Sequence, residues 1–224
     1  MTHLEEALKE LRRNLKDMAE LVQKQLKKSI AALMEQDEDL ANEVIHKERR
    51  VNAFELNIDK QCEQIFALLT PVANDMRLVF ATLKINADLE RIGDYGEGIS
   101  KLVLLGKREF DPELIKQLDV INMSNIALDM LGQVVKSYCE EDSKLARTVF
   151  SRDLELNEIN HNSTEIVVTY CKANINKMHQ AMYLLSIVRK LERVGDHITN
   201  IAEEIIFFKE AKVLKHGNKG DELQ

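Results

Sequence analysis

Leu89-Glu90-Arg91-Ile92-Gly93-Asp94 returns as Leu191-Glu192-Arg193-Val194-Gly195-Asp196, 102 positions later in a chain of 224 residues. Each copy holds Glu-x-x-x-Asp. Four positions on an α-helix is slightly more than one turn, so Glu90 shares a face with Asp94, and Glu192 with Asp196, roughly 6 Å apart along the axis. Like charges so placed cost an isolated helix about 0.2–0.5 kcal/mol. The glycine inside each copy, Gly93 or Gly195, costs about 1 kcal/mol against alanine. A chain that accepts both local penalties twice, in the same order, uses these faces for something.

Helical periodicity surrounds both copies. Leu4, Leu8, Leu11, Leu15, Met18 and Val22 step by three and four along a first helix from His3 to about residue 34. Gln36 to Asp39 is a turn, and a second helix follows over 40–69. Thr70-Pro71 reads as a cap and first helical residue for a third helix, 71–105, which carries the first motif; Gly96 and Gly98 are expected to loosen it. Asp111-Pro112 repeats the signal for a fourth helix to about 140, and Asp142-Ser143 caps a fifth, 144–173. The sixth helix, about 178–211, holds the second motif. A second internal match joins helices two and five. Leu40-Ala41-x-x-Val44-x-x-x-Glu48-x-x-Val51-Asn52 parallels Leu145-Ala146-x-x-Val149-x-x-x-Asp153-x-x-Leu156-Asn157. Two ordered matches predict an all-α fold of two tandem three-helix bundles, six long antiparallel helices related by an internal pseudo-twofold duplication. The expected boundaries are 1–108, 109–212 and a flexible tail, 213–224.

Composition agrees with a helical fold. Charged residues make up 31% of the chain, aromatics 5%, with no Trp and two Pro. The net charge of −7 disfavours a general role on nucleic acid or anionic lipid. Cys62, Cys139 and Cys171 are isolated from one another, as packing residues in a reducing compartment would be. No signal-peptide core or long apolar run is present, so a cytoplasmic protein is expected, reaching a membrane only through a partner.

The acids can converge. Packing the middle helix of each half against its third helix would gather Glu48, Asn52, Glu55, Glu90 and Asp94 in the first half. In the second it would gather Asp153, Asn157, Glu192 and Asp196, with Asn160 at the position equivalent to Glu55. Uncompensated carboxylates raise one another's pKa, and a multivalent cation removes the conflict. All-oxygen donors favour magnesium, manganese, calcium or ferric iron and tolerate zinc. A rival reading has Arg91, Arg193, Arg77 and Arg189 neutralise the acids as ion pairs, leaving a structural helical adaptor. His197, Asn200 and Glu203 could extend the second site. A carboxylate-type metalloenzyme is a further alternative, although the Glu-x-x-His spacing of di-iron bundles is absent. There is no Gly-rich phosphate loop or nucleophile–base spacing, and the chain is expected not to be an enzyme.

The chain resembles the PhoU family of bacterial phosphate-transport accessory and regulatory proteins. Pro71-Val72-Ala73-Asn74-Asp75-Met76-Arg77, the two motifs, and Asp196-His197 through Asn200-Ile201-Ala202-Glu203 carry the resemblance, with the duplicated three-helix plan. It implies two three-helix bundles, often as a homodimer, whose Glu/Asp-x-x-x-Asp motifs bind metal ions or multinuclear clusters of iron, zinc or other metals. It implies contact with the ATPase subunit of a Pst-type transporter and with a sensor histidine kinase when phosphate is plentiful, damping both uptake and phosphate-starvation gene expression. Some members accompany other phosphate transporters. The family's middle-helix motif often ends in Asp where this chain has Asn52 and Asn157, which lowers the expected metal affinity and argues against a full cluster. The second half also lacks the proline-led start that Pro71 gives the first.

Overall fold

A computed structural model describes residues 2–212 and residue 214. Among these residues every regular element is helical. Helix α1 (His3–Glu35), α2 (Glu38–Leu69) and α3 (Ala73–Gly106) form the first half. The second half comprises α4 (Pro112–Gln117), α5 (Val120–Glu140), α6 (Ser143–Arg147), α7 (Val149–Ala173) and α8 (Met178–Glu210), with a 3₁₀ turn, Ile175–Lys177, before α8. The expected tail falls outside the described residues apart from Leu214.

The caps explain most boundaries. Thr2 and Glu5 close a capping box on α1. Asp37 accepts two backbone N–H bonds at the start of α2, and Asp142 does the same for α6. Asp111 caps α4 with Pro112 directly behind it, as the sequence predicts.

Four expectations need correction. Pro71 does not begin α3. Thr70 ends α2 in the left-handed region (φ 43°), and Val72 occupies the cap position with no side-chain bond; a residue before proline is crowded out of the right-handed helical region. The fourth helix is two, because Asp119 turns left-handed (φ 51°) after Leu118 has been buried. The fifth is interrupted at Thr148, whose hydroxyl bonds back to the Leu145 carbonyl at 2.7 Å. Gly96 and Gly98 loosen nothing, since α3 runs unbroken to Gly106. A Cβ on Gly96 would lie 3.7 Å from the α1 backbone at Leu26, and one on Gly98 would meet Lys190 of α8. The first would be an ordinary van der Waals contact and the second would meet the movable end of a lysine, so both positions simply face a neighbouring helix.

Each half is a three-helix bundle. Helix α1 packs on α2 and α3, and α5 packs on α7 and α8. The halves meet where α3 lies along α8 and α1 along α5, so equivalent helices pair across the joint, as a pseudo-twofold requires. The α3–α8 seam is antiparallel and polar. Lys84 Nζ is 3.0 Å from both carboxylate oxygens of Glu204. His197 Nδ1 is 2.7 Å from Asp88 Oδ1, and Asn200 donates to the same oxygen at 3.3 Å. The rings of Tyr95 and His197 lie 5.7 Å apart, and Lys190 Nζ sits 5.6 Å from the Tyr95 ring centre. The repeat spacing equates Tyr95 with His197 and Asp88 with Lys190. The local axis therefore passes between the two rings.

The motif glycines set the distance between helices within each half. A Cβ on Gly93 would lie 3.1 Å from Glu48 Oε1 and 3.2 Å from Val51 Cγ1 of α2. A Cβ on Gly195 would lie 2.5 Å from Leu156 Cδ1 and 2.9 Å from Asp153 Oδ1 of α7. The same two middle-helix positions thus seat against the same glycine in both halves. Overpacking costs about 1–3 kcal/mol, against a gain of about 1 kcal/mol for alanine's helix propensity. Gly195→Ala is expected to lower stability in urea denaturation, because Leu156 is fully buried. Gly93→Ala, with looser contacts, is expected to be milder.

Candidate metal centre

Leu89 and Ile92 enter the core of the first half, and Leu191 and Val194 enter that of the second. This fixes the rotation of α3 and α8, and the acids of each motif fall beside the middle helix. Glu90 and Glu192 are largely covered, with side chains 15% and 21% exposed. Asp94 and Asp196 are more open.

The inner acid of each site comes from the middle helix. Glu48 is 5% exposed and Asp153 4%. Glu48 accepts a bond from Gln25 Nε2 of α1 at 3.2 Å. Its other oxygen, Oε1, and Gln25 Oε1 have no hydrogen-bond partner among the described residues. Burial pushes the Glu48 carboxyl up to about 7, and the charges of Asp94, Glu97 and Glu90 push in the same direction. Glu55 and Glu90 are raised, first by burial and then by neighbouring carboxylates: Asp59 and Asp94 for Glu55, Asp94 and Glu55 for Glu90. Glu192 is raised by burial, then by Asp196, with a further push from Asp153. The predicted acids therefore do share one field in each half. The amides do not contribute equally. Asn52 is exposed, whereas Asn157 donates to Asp153 Oδ2 at 3.1 Å.

The rival ion pairs are also present. Arg91 Nη1 is 3.0 Å from Asp94 and its Nε 3.5 Å from Glu90. Arg193 Nη1 is 3.1 Å from Asp196 and its Nε 4.0 Å from Glu192. Both arginines are about three-fifths exposed, and such pairs contribute roughly 0–1 kcal/mol. Arg77 serves elsewhere, bonding Asn74 and the Phe208 carbonyl, and Arg189 is exposed. His197 and Asn200 turn to Asp88 on α3, tying the halves together instead of extending the second site.

No three His, Cys, Asp or Glu side chains among the described residues converge closely enough to hold a metal as they stand. The donor chemistry nevertheless suits a hard cation: all oxygen, mostly carboxylate, with one buried acceptor oxygen on Glu48 and one on Gln25 that have no hydrogen-bond partner among the described residues. Glu48, Glu90 and Asp94 would hold it there, and Asp153, Glu192 and Asp196 in the second half. The arginines give way cheaply.

The model of the PhoU domain matches this chain twice, over residues 15–103 and 120–205. The chain belongs to the PhoU family. Its two PhoU copies are the two halves described above. The accessory protein PhoU homolog of the phosphate-specific transport system of Aquifex aeolicus is 33% identical over 209 residues, covering 93% of this chain and 94% of that protein. The corresponding homolog of Zymomonas mobilis is 30% identical, covering 98% and 92%. The crystal structure of PhoU from Pseudomonas aeruginosa superimposes with a TM-score of 0.89 at 28% identity, covering 94% of this chain and all of that one. PhoU proteins are non-enzymatic accessory and regulatory proteins, so this chain is not an enzyme and the metalloenzyme alternative falls.

Two residues at the first PhoU site lay outside the sequence expectation. Glu97 is one turn beyond Gly93 on the same face and adds to the field on Glu48; its spacing was readable. Gln25 is an amide on the apolar stripe of α1, and a polar residue in a core register is its only signal.

The sign of the pH dependence follows from Glu48. An acid whose pKa is higher folded than unfolded favours the fold while it stays protonated, and that contribution is lost as pH rises through about 7. In chelator-treated protein, wild type is expected to lose up to about 3 kcal/mol relative to Glu48→Gln between pH 4.5 and 8. Urea denaturation across that range reads the difference; a gap that does not vary with pH would show Glu48 to be an ordinary surface-like acid.

Proposed function

We propose that this PhoU-family protein is a non-enzymatic accessory of a phosphate-transport system that restrains uptake and phosphate-starvation signalling through protein contacts. The partners in this reading are the ATPase subunit of a Pst-type transporter and a sensor histidine kinase. The protein works as a cytoplasmic homodimer and meets the membrane only through those partners. Among the described residues no helix is long and apolar enough to cross a membrane. The observation that supports the reading best is the family match over both halves, together with relatives named as accessory proteins of the phosphate-specific transport system. The PhoU structure from Streptococcus pneumoniae is described as a phosphate transport system regulatory protein, and it superimposes with a TM-score of 0.84 at 25% identity, covering 94% of this chain and 99% of that one.

A hard cation on the acidic faces belongs to the same reading. When bound it would supply positive charge that keeps Glu48 and its neighbours ionised. The residues themselves present an oxygen-rich surface on two seams, α2–α3 and α7–α8, on which a partner can dock. A second reading is a purely structural adaptor, and the Arg91 and Arg193 pairs favour it.

Full-length protein immobilised at high phosphate is expected to retain the transporter ATPase and the histidine kinase from extracts. The fourfold variant Glu90→Gln, Asp94→Asn, Glu192→Gln, Asp196→Asn is expected to lose bound metal and to release phosphate-starvation genes from repression, with helicity by circular dichroism intact. Retention of neither partner by wild type would defeat the regulatory reading. Unchanged metal content and repression in the variant would favour the structural adaptor.

A further inference from the structure

The tip of the α2–α3 hairpin carries apolar side chains in water. On α2, Asp59, Glu63 and Phe66 follow at i, i+4 and i+7, so they share one stripe. Helix α3 fixes where that stripe points. Asn86 Nδ2 donates to Asp59 Oδ1 at 2.8 Å, and the rings of Phe66 and Phe80 lie 4.7 Å apart. Towards the tip, Val72 is 69% exposed and Met76 and Phe80 are 43% each. Glu63 is exposed, and neither it nor Asp59 has an ion-pair partner among the described residues.

The offsets that relate Glu48 to Asp153 and Glu90 to Glu192 carry the comparison into the second half. Met76 and Phe80 become Met178 and Met182, 41% and 47% exposed. Single exposed apolar residues are ordinary, but these are contiguous and occur at the same place twice, which marks an interaction surface. The charges do not repeat. Asp59 becomes Thr164, Glu63 becomes Val168, and Asn86 becomes Val188.

Charge selects the occupant of the first tip. Unpaired carboxylates beside the apolar patch repel an anionic membrane. A second copy meeting the patch across a twofold axis would set Asp59 and Glu63 against their own mates, like charge on like. A partner helix with apolar anchors and lysine or arginine beside them complements both parts, and the seam between two helices is a groove of the kind such helices enter. Glu63 lies about 5 Å and Asp59 about 10 Å from Phe66 along the axis, so the partner's basic residues fall roughly one and two turns from its anchors.

We infer that the α2–α3 tip is the docking surface for an amphipathic basic helix of a partner protein, with its apolar residues on Val72, Met76 and Phe80 and its cationic residues on Asp59 and Glu63. The second tip, whose matching stripe is uncharged, does not take this helix. The inference rests on the reading that the protein acts by contact with a transporter ATPase and a histidine kinase, and it uses none of the acids of the repeated motif.

The test is surface plasmon resonance of the purified ATPase subunit and the purified histidine kinase over immobilised full-length protein, at low and at high salt. Met76→Ser with Phe80→Ser is expected to weaken at least one of them by about tenfold or more. Glu63→Lys is expected to slow association of that same partner several-fold and to flatten its salt dependence. Met178→Ser with Met182→Ser is expected to leave its affinity unchanged. All these side chains already face water, so helicity and melting temperature should match wild type. Wild-type binding that is indifferent to Met76, Phe80 and Glu63 would overturn the inference and leave the regulatory reading standing. Equal loss from the second-tip pair would overturn the restriction to the first half. Self-association by light scattering, or binding to phosphatidylglycerol vesicles, that disappears in the Met76→Ser, Phe80→Ser variant would give the patch another occupant and overturn it too. Retention of neither partner by wild type would defeat both readings.

Discussion

A carboxylate from one helix rests on a glycine of the next, and the packing of each half is arranged around that contact. Glu48 lies over Gly93, and Asp153 over Gly195. A buried carboxylate is expensive unless it is neutralised or bonded, and it cannot be removed from the seam without moving the helix that carries it. Val51 and Leu156, one turn on, press against the same glycines and fix the approach. Here glycine serves close contact between helices; its backbone stays in the ordinary helical region, with no positive φ at any glycine among the described residues. The helix-propensity penalty noted in the motif is thus offset by packing that alanine would obstruct.

The two seams are linked by the polar joint between α3 and α8. Asp88, two residues before Glu90, reaches His197, which adjoins Asp196. The pseudo-symmetric contact places Lys190, two residues before Glu192, over Tyr95, which adjoins Asp94. One crossing is a hydrogen bond and the other a cation–π contact, worth roughly 0.5–2 kcal/mol depending on exposure. Residues flanking each acidic pair therefore touch the helix carrying the other pair. The duplicated chain does not behave as two bundles on a string, because the elements that hold the candidate ligands are the same ones that join the halves.

Much of this was readable beforehand, for specific reasons. Apolar residues at three- and four-residue steps and the Asp37, Asp111 and Asp142 caps located the helices, since those signals are local. That the middle and third helices of each half would bring Glu48 and Asp153 toward the motif acids followed from two repeats in the same order; the seat of each acid on a glycine did not. What escaped depended on tertiary packing. Nothing local announces that Asp119 turns left-handed, because the cause is the burial of Leu118 against the bundle. Gly96 and Gly98 resemble helix breakers in isolation and become contact points only once α1 and α8 are in place. His197 resembles a ligand beside Asp196 until α8 is laid against Asp88. Gln25 contacts Glu48 from a helix that carries no motif, so repeat-based reasoning had no route to it.

The duplication also explains how the halves could diverge without disturbing the fold. Each half needs an acid seated on glycine and an apolar neighbour beside it, and both retain these. The surrounding positions are free to differ as long as volume is conserved, because cores tolerate such exchanges at small cost. Gln25 and Met130 stand at the same distance before the capping aspartates Asp37 and Asp142 and are close in volume, so the amide in one half and the thioether in the other fill equivalent positions. The exchange alters solvation chemistry, leaving the packing alone. In the second half Asn157 donates to Asp153 Oδ2 from its own helix. In the first half Asn52 is turned to solvent and Glu48 takes its bond from α1 instead. The inner acid is thus bonded from within α7 in the second half and from α1 in the first. The same architecture thereby supports two ways of bonding the inner acid, one local to α7 and one that recruits a third helix.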